Sequence, residues 1–297
     1  MEKTLLVIDF NNLCHRIFHG YGENVLTAPD GRVVTVVHGL LSMTFSLAAY
    51  CGATHVASAF ESRTKTHRAE RYTEYKAGRA VLDPSLREQM EMANIGVGRL
   101  GFARYRADRY EADDTLAALS VTAIREGFAH VYLATGDKDL MGAVDDKVTV
   151  LWIAKGLSEL REHTYVPAKV EARFGIKPAQ FPDFRALMGD HSDNIPGAPG
   201  IGEKGAKELI IEFGSIDGIY ANLDAVKKPS VRAILRDNEE LIRLSLELSQ
   251  LHPEATLTPP FDPDAGELGH DERGKTLAWL NTYGLRSVIG RLPPVSA

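Results

Sequence analysis

Acidic residues recur in this chain where short apolar runs end. Asp9 follows Leu5–Ile8, Glu61 follows Thr54–Phe60, and Asp137 and Asp139 come just after Val131–Thr135. Runs of this length, rich in β-branched residues, suit buried strands. In an open parallel sheet, ligands bind beyond the carboxyl ends of the strands. One Asp in such a place is ordinary, because Asp often caps the following helix. Three strand ends of this kind are harder to assign to capping. Two more acidic groups join them. Glu111-Ala112-Asp113-Asp114 stands at a predicted helix start, where Glu111 and Asp114, three apart, share a face. An acidic first turn also complements the helix dipole, so this group alone has a second explanation. Gly189-Asp190-His191-Ser192-Asp193-Asn194 again spaces two Asp three apart, and a turn or cap would account for it as well.

Together the candidates are Asp9, Glu61, Glu111, Asp113, Asp114, Asp137, Asp139, Asp190 and Asp193. Nine carboxylates converging in one cleft would repel one another without cations. Oxygen donors of this kind suit Mg²⁺, with Mn²⁺ as a substitute, and no His/Cys spacing points to zinc. Two hard cations about 3.5–4 Å apart can clamp the attacking and leaving oxygens of a phosphodiester. That chemistry needs no nucleophilic side chain, and no Ser or Cys nucleophile motif stands out. The formal charge of −6 at first opposes a nucleic-acid partner. Setting the nine carboxylates aside shifts it from −6 to +3, a mildly basic remainder.

Two basic features fit the same partner. The segment Glu61–Arg79 holds Arg63, Lys65, Arg68, Arg71, Lys76 and Arg79 around Tyr72 and Tyr75. With almost no apolar periodicity, it reads as a surface loop or exposed helix. Interleaved basic and aromatic residues suit a single strand, whose bases stack while its phosphates are neutralised, although a solvated charged helix has the same pattern. The stretch Gly197–Lys207 contains Gly-x-Gly-x-x-Gly. A dinucleotide site fails here, because Asp193-Asn194-Ile195-Pro196-Gly197-Ala198-Pro199 cannot be the buried strand that fingerprint requires. A hairpin between two helices fits better. Gly200 and Gly202 let a phosphate approach the backbone, the next helix start supplies N–H groups, and Lys204 and Lys207 add charge. Such contacts are blind to base sequence.

These groups need a scaffold. Besides the three runs above, Val148–Ile153 reads as a strand, and helical spacing covers His38–Tyr50, Asp113–Arg125 and Lys204–Phe213. Alternating strands and helices predict an α/β fold with a mostly parallel sheet. From about Pro178 the texture changes to short helices between Gly/Pro turns. Thr258–Gly269 reads as an extended connection, and Thr276–Leu292 as an apolar segment that packs back on the core. The 297 residues allow one large domain or two modest ones. The first apolar run is too short for a secretory signal and no stretch approaches a membrane span, so a cytoplasmic location is expected. Cys14 and Cys51 are expected to be free thiols.

The stretches VIDFNNLCHRIFHG, EYKAGRA, YEADDTLA, ATGDKDL and MGDHSDNIPGAPGIGEKGAKEL, in this order, resemble the 5′ nuclease family. That family includes flap endonucleases, the 5′ nuclease domain of bacterial DNA polymerase I, and phage 5′–3′ exonucleases. The resemblance implies a PIN-like core over residues 1–177 with a helical arch at about 62–100. A helical DNA-binding region with a helix–three-turn–helix would follow over 178–297. It implies that Asp9, Glu111, Asp113, Asp114 and Asp137 serve two metal ions or their waters, and Asp139, Asp190 and Asp193 a second cluster. Lys76 and Arg79 match the basic pair that touches the scissile phosphate. With Asp9, Asp114 and Asp137 they form the expected catalytic set. Arg16, Arg68, Arg71 and Tyr75 are expected to contact DNA, as are Gly200, Gly202, Lys204 and Lys207 in the hairpin, which in the family often holds K⁺. Glu61 stands where the family usually has Asp, and Phe10-Asn11 follow Asp9 where a Gly is common. The implied activity is structure-specific 5′–3′ exonuclease or flap endonuclease action on DNA in replication or repair. With no room for a polymerase, a stand-alone nuclease is expected. The competing readings are a non-catalytic binder of DNA junctions on the same fold and a PIN-type RNase.

Overall fold

A computed structural model describes residues 2–22, 25–154 and 156–294 of the chain. Met1 and residues 295–297, at the outer ends of the two expected regions, lie outside the described residues. The chain opens with β1 (Thr4–Asp9), α1 (Phe10–Tyr21), α2 (Thr35–Cys51) and β2 (His55–Phe60). It continues through α3 (His67–Arg71), α4 (Pro84–Arg99), β3 (Ala103–Ala107), α5 (Ala112–Arg125), β4 (His130–Thr135) and β5 (Val148–Trp152). Next come β6 (Thr164–Tyr165), α6 (Pro167–Phe174), α7 (Phe181–Met188), α8 (Glu203–Phe213), α9 (Ile216–Ala221), α10 (Pro229–Asp237) and α11 (Glu239–Ser249). The strand β7 (Leu257–Thr258) and helices α12 (Arg273–Thr282) and α13 (Arg286–Ile289) complete it.

The strands form one sheet in the order β6-β5-β4-β1-β2-β3-β7. The five inner strands run parallel, and β6 and β7 pair antiparallel at the two edges. The expected mostly parallel α/β sheet is therefore present. Its central strands are buried on both faces, as parallel sheets require. Leu5 and Val7 of β1 join one core with α5 and the helices α7–α11. Leu6 and Ile8 point the other way, into a second core with α1, α2, α4, α12 and α13. The apolar tail thus packs back as expected, through Leu280, Leu285 and Val288.

One expectation changes. The strand β3 was not predicted, because its sequence Ala-Arg-Tyr-Arg-Ala carries two charges. It alternates, with Ala103, Tyr105 and Ala107 buried and Arg104 exposed. Within residues 62–100, where an arch is expected, α4 buries Leu86, Met92, Ala93 and Val97 in the core, and the stretch from Lys76 to Leu86 borders the cleft described below. Among the described residues no helix is long and apolar enough to cross a membrane, and Cys14 and Cys51 are free.

Candidate active site

Register fixes where the strand ends meet. Ile8 of β1 lies opposite Ala134 of β4, and Asp9 opposite Ala59 of β2. Asp9, Thr135 and Glu61 therefore emerge together at the carboxyl edge of the sheet. Asp9 is N-cap to α1, accepting from the Asn12 amide at 3.2 Å and from Thr135 Oγ1 at 2.8 Å. Thr135 Oγ1 also accepts from the Asp137 amide at 3.0 Å, and Asp137 from the Asp139 amide at 3.0 Å. The Gly136 amide donates to Asn12 Oδ1 at 2.9 Å, and a Cβ on Gly136 would stand 2.4 Å from the Arg16 side chain. Only glycine lets the turn after β4 come this close to α1. Glu61 accepts from the Ala112 amide at 3.2 Å and so steadies the start of α5, which carries Asp113.

Around these ends lies a cleft of about 700 Å³. Of the nine candidate carboxylates, Asp9, Glu61, Glu111, Asp113 and Asp137 border it. Asp114, Asp139, Asp190 and Asp193 are not among its lining residues, yet the charge of Asp139 acts on Asp113, and those of Asp137, Asp190 and Asp193 act on Asp139. Protein cations pair with these four. Arg68 grips Asp114 with both Nη atoms, at 2.5 and 2.8 Å, and donates to the carbonyls of Leu248 and Gln250. Arg185 Nε lies 2.8 Å from Asp139, and its Nη2 bonds Asp190. Arg79 holds Asp193 at 2.6 Å. Lys76 Nζ sits 2.8 Å from Glu111 and 3.7 Å from Asp193.

The electrostatics follow this division. Burial pushes Asp9 up to about 7, with Glu61 and Asp137 adding repulsion against the Thr135 and Asn12 hydrogen bonds. Burial, then the charges of Asp137 and Asp9, raise Asp113 well above the usual carboxylate range. Asp139 is also raised to about 7, by burial and Asp137, with Arg185 opposing. Asp114 goes the other way. Burial would raise it, but the hydrogen bonds and charge of Arg68 outweigh that and lower it. Lys76 and Arg68 likewise overcome burial at Glu111.

Two residues expected to contact DNA are corrected. Arg68 is not a surface cation; it is 3% exposed and committed to Asp114. Tyr75 is not a stacking platform; it is 7% exposed and donates to Glu111 at 2.7 Å. Arg71 is exposed and paired with Glu247. Arg16 donates to the Ala154 carbonyl at 2.6 Å and lines a separate pocket, which shares Asn12, His15 and His19 with the cleft. The hairpin joins α7 to α8 across residues 189–202. Gly202 is N-cap of α8 with open space around it, Gly200 has φ +83°, Lys204 is exposed, and Lys207 is half-buried against Gly175.

Sequence reasoning missed Arg185, Thr135, Asn12 and Asn194. Asn194, at φ 56°, donates from Nδ2 to the carbonyls of Glu74 and Ala77, each at 2.9 Å. The Lys76 amide donates to the Asp193 carbonyl at 3.0 Å. Together these bonds tie the turn carrying Lys76 and Arg79 to the loop after α7. A signal for Asn194 existed in its type, since Asn tolerates left-handed backbone better than most residues.

Models of the 5′–3′ exonuclease N-terminal resolvase-like domain and of the 5′–3′ exonuclease C-terminal SAM fold match residues 4–175 and 176–268. The chain belongs to the 5′–3′ exonuclease family. Among its family relatives, DNA polymerase I of Mycobacterium tuberculosis is 36% identical over 89% of this chain and 30% of its own length. The thermostable DNA polymerase I of Thermus thermophilus is 37% identical over 97% of this chain and 33% of its own length. The chain therefore spans about a third of these curated relatives. Two solved structures share the exonuclease fold. The bacteriophage T5 5′-exonuclease with bound zinc has a TM-score of 0.69 at 22% identity, over 98% of this chain and all of that one. The catalytic core of Rad2 in complex with DNA substrate has a TM-score of 0.58 at 15% identity, over 98% and 92%.

Proposed function

We propose that this chain hydrolyses DNA phosphodiesters at 5′ ends and flap junctions, in replication or repair, using two Mg²⁺ ions with Mn²⁺ as a substitute. The observation that supports it most is the state of Asp9 and Asp113. Asp9 is buried and Asp113 half-buried at the cleft, both are raised by desolvation and by neighbouring carboxylates, and among the described residues neither forms an ion pair with a protein cation. The donor set around them is carboxylate oxygen, which fits a hard cation. Among the described residues no three His, Cys, Asp or Glu side chains are gathered tightly enough to hold a metal ion by themselves. Mg²⁺ tolerates this, because it keeps several waters and is usually bound through one or two carboxylates together with substrate phosphate. Such ions, when bound, supply a water of lowered pKa and neutralise charge on the leaving oxygen.

The chain's own residues do the rest. Thr135 and Asn12 fix the Asp9 carboxylate, and Glu61 holds the start of α5 so that Asp113 keeps its place. Lys76 and Arg79 stand at the cleft rim and are the cations that would meet the scissile phosphate. The hairpin and α8 offer backbone N–H groups and Lys204 to a duplex behind it, without reading sequence. The relatives' common name, DNA polymerase I, supports the role in replication or repair.

The test is cleavage of a 5′-end-labelled flap in Mg²⁺, in EDTA, and with Asp113→Asn. Product near the junction in Mg²⁺ alone, lost in the other two arms, is expected. Tight binding without cleavage in either Mg²⁺ or Mn²⁺ would leave a binding protein instead. Preference for an RNA strand over the matched DNA would make it an RNase.

A further inference from the structure

A second recess, of about 330 Å³, adjoins the carboxylate cleft, and Glu61 borders both. Apart from Glu61, its charged walls are basic. Arg63 comes from the connection between β2 and α3. Arg104 and Arg106 are two apart on β3 and so leave the sheet on the same face, while Tyr105 between them is buried. Asn94 of α4 and Thr258 of β7 also line it. Carboxylates do not use up this charge. Arg106 Nε meets Asp108 at 3.0 Å, but Arg104 has only the neutral Asn94 Oδ1 at 3.4 Å. Among the described residues Arg63 and Arg104 make no ion pair. The Arg104 guanidinium is held in place over Gly98 of α4, where an added Cβ would come within 3.1 Å of it.

The chain's path joins the two spaces. It leaves the sheet edge at Glu61, runs out through α3 and the turn at Lys76–Arg79, and returns along α4. This excursion borders the cleft through Lys76, Arg79 and Leu86, and the recess through Arg63 and Asn94. We propose that the recess is a phosphate subsite for the single strand on the 5′ side of the scissile bond, holding a phosphodiester of that strand once it has crossed the cleft. Arginine suits such a group because its planar fork meets two phosphate oxygens at once. A free inorganic anion would satisfy the same chemistry, but a recess that shares its Glu61 wall with the cleft favours a strand that reaches both. The inference rests on the nuclease reading of the cleft.

The experiment compares the wild type with Arg63→Glu and with Arg63→Glu/Arg104→Gln. The ligands are a DNA junction bearing a 5′ flap of about ten nucleotides and the same junction without it. Binding is read by fluorescence anisotropy in EDTA, so that cleavage does not intervene, from about 50 to about 200 mM KCl. The double variant is expected to lose roughly tenfold more affinity for the flap than for the flapless junction. Its salt slope on the flap falls by about 0.7 for each phosphate contact removed. A flap with neutral methylphosphonate linkages should bind wild type as weakly as the flapless junction. Equal losses on both junctions, no loss on the flap, or full binding of the neutral flap would each overturn the subsite. Cleavage by the wild type in Mg²⁺ is scored separately. Its absence would remove the nuclease reading, whereas cleavage with flap-independent binding would remove the subsite alone.

Discussion

Asp9 and Asp114 are both buried aspartates near the ends of elements, and their surroundings drive them in opposite directions. Asp114 has Arg68 at 2.5 and 2.8 Å and is held ionised. Asp9 has hydroxyl and amide donors and repelling carboxylates, and is raised to about 7. A raised acid binds a proton in the folded state at pH values where the unfolded chain has lost it. Its stabilising share is therefore full below pH 4 and falls as pH rises through about 7. In EDTA, the melting temperature should drop between pH 5 and pH 8 by scanning calorimetry. Millimolar Mg²⁺ should restore about 5 °C at pH 8 and much less at pH 5, where protons already fill the role. A flat profile with no Mg²⁺ effect would contradict the site. Asp113→Asn removes one repelling charge. It should lower cleavage at least about a hundredfold while leaving the EDTA melting temperature at pH 8 equal or higher. Asp114→Ala is a poor probe of chemistry, because it leaves Arg68 buried without its partner. The converse change, Arg68→Met, strands Asp114 and should cost about 3–5 kcal/mol in urea unfolding.

At the scale of elements, what matters is how the turn at residues 74–79 is held. Its carbonyls at Glu74 and Ala77 accept from Asn194, and its Lys76 amide bonds the Asp193 carbonyl. The loop that carries two of the acidic residues therefore also sets the place of Lys76 and Arg79. Asn194→Gly keeps the left-handed backbone and removes only the two side-chain bonds. Glu74 and Ala77 are exposed, so water can replace those bonds and the stability cost should stay near about 1 kcal/mol. Turnover should fall by roughly tenfold to a hundredfold with KM little changed, since misplacing a positioning group costs rate rather than affinity. Steady-state kinetics on a flap substrate would show it; a change in KM alone would mean that the loop binds DNA and does not position the rim. The basic segment was read from its sequence as a solvated or strand-binding surface. Lys/Arg counts cannot reveal that Arg68, one of four arginines and two lysines, turns inward, because its partner Asp114 is 46 residues away.

For the whole molecule, the two expected regions share one hydrophobic core. Val7, Leu116 and Leu133 on the sheet side pack in the same cluster as Ile201, Leu209 and Ile242. The chain then returns, with β7 pairing to β3 and α12 and α13 covering the opposite face. A fragment ending at residue 177 would expose apolar surface on both faces of the sheet. It should give a non-cooperative unfolding transition and bind a hydrophobic dye, as judged by urea titration and fluorescence. Cooperative unfolding of that fragment would show that the regions are separable. The charge argument also looks different at this scale. Arg68, Lys76, Arg79 and Arg185 already neutralise much of the acidic set. On the proposed reading, metal ions would be needed for the cleft carboxylates that no protein cation pairs, not for all nine.

The sequence by itself determined the parallel α/β sheet, the acidic residues at its carboxyl edge and the glycine hairpin. These follow from local pattern: apolar runs of strand length, acids immediately after them, and glycines where helices must turn. Tertiary structure decided which carboxylates face the cleft and which face an arginine, because Arg68 and Arg185 reach their partners from other elements. It also decided that β3 is a strand, since its two arginines mask the alternation until Tyr105 is seen buried between them. Burial and pairing are properties of distance in space. A spacing rule reads distance along the chain, so it found the charged groups and could not say which of them would cancel.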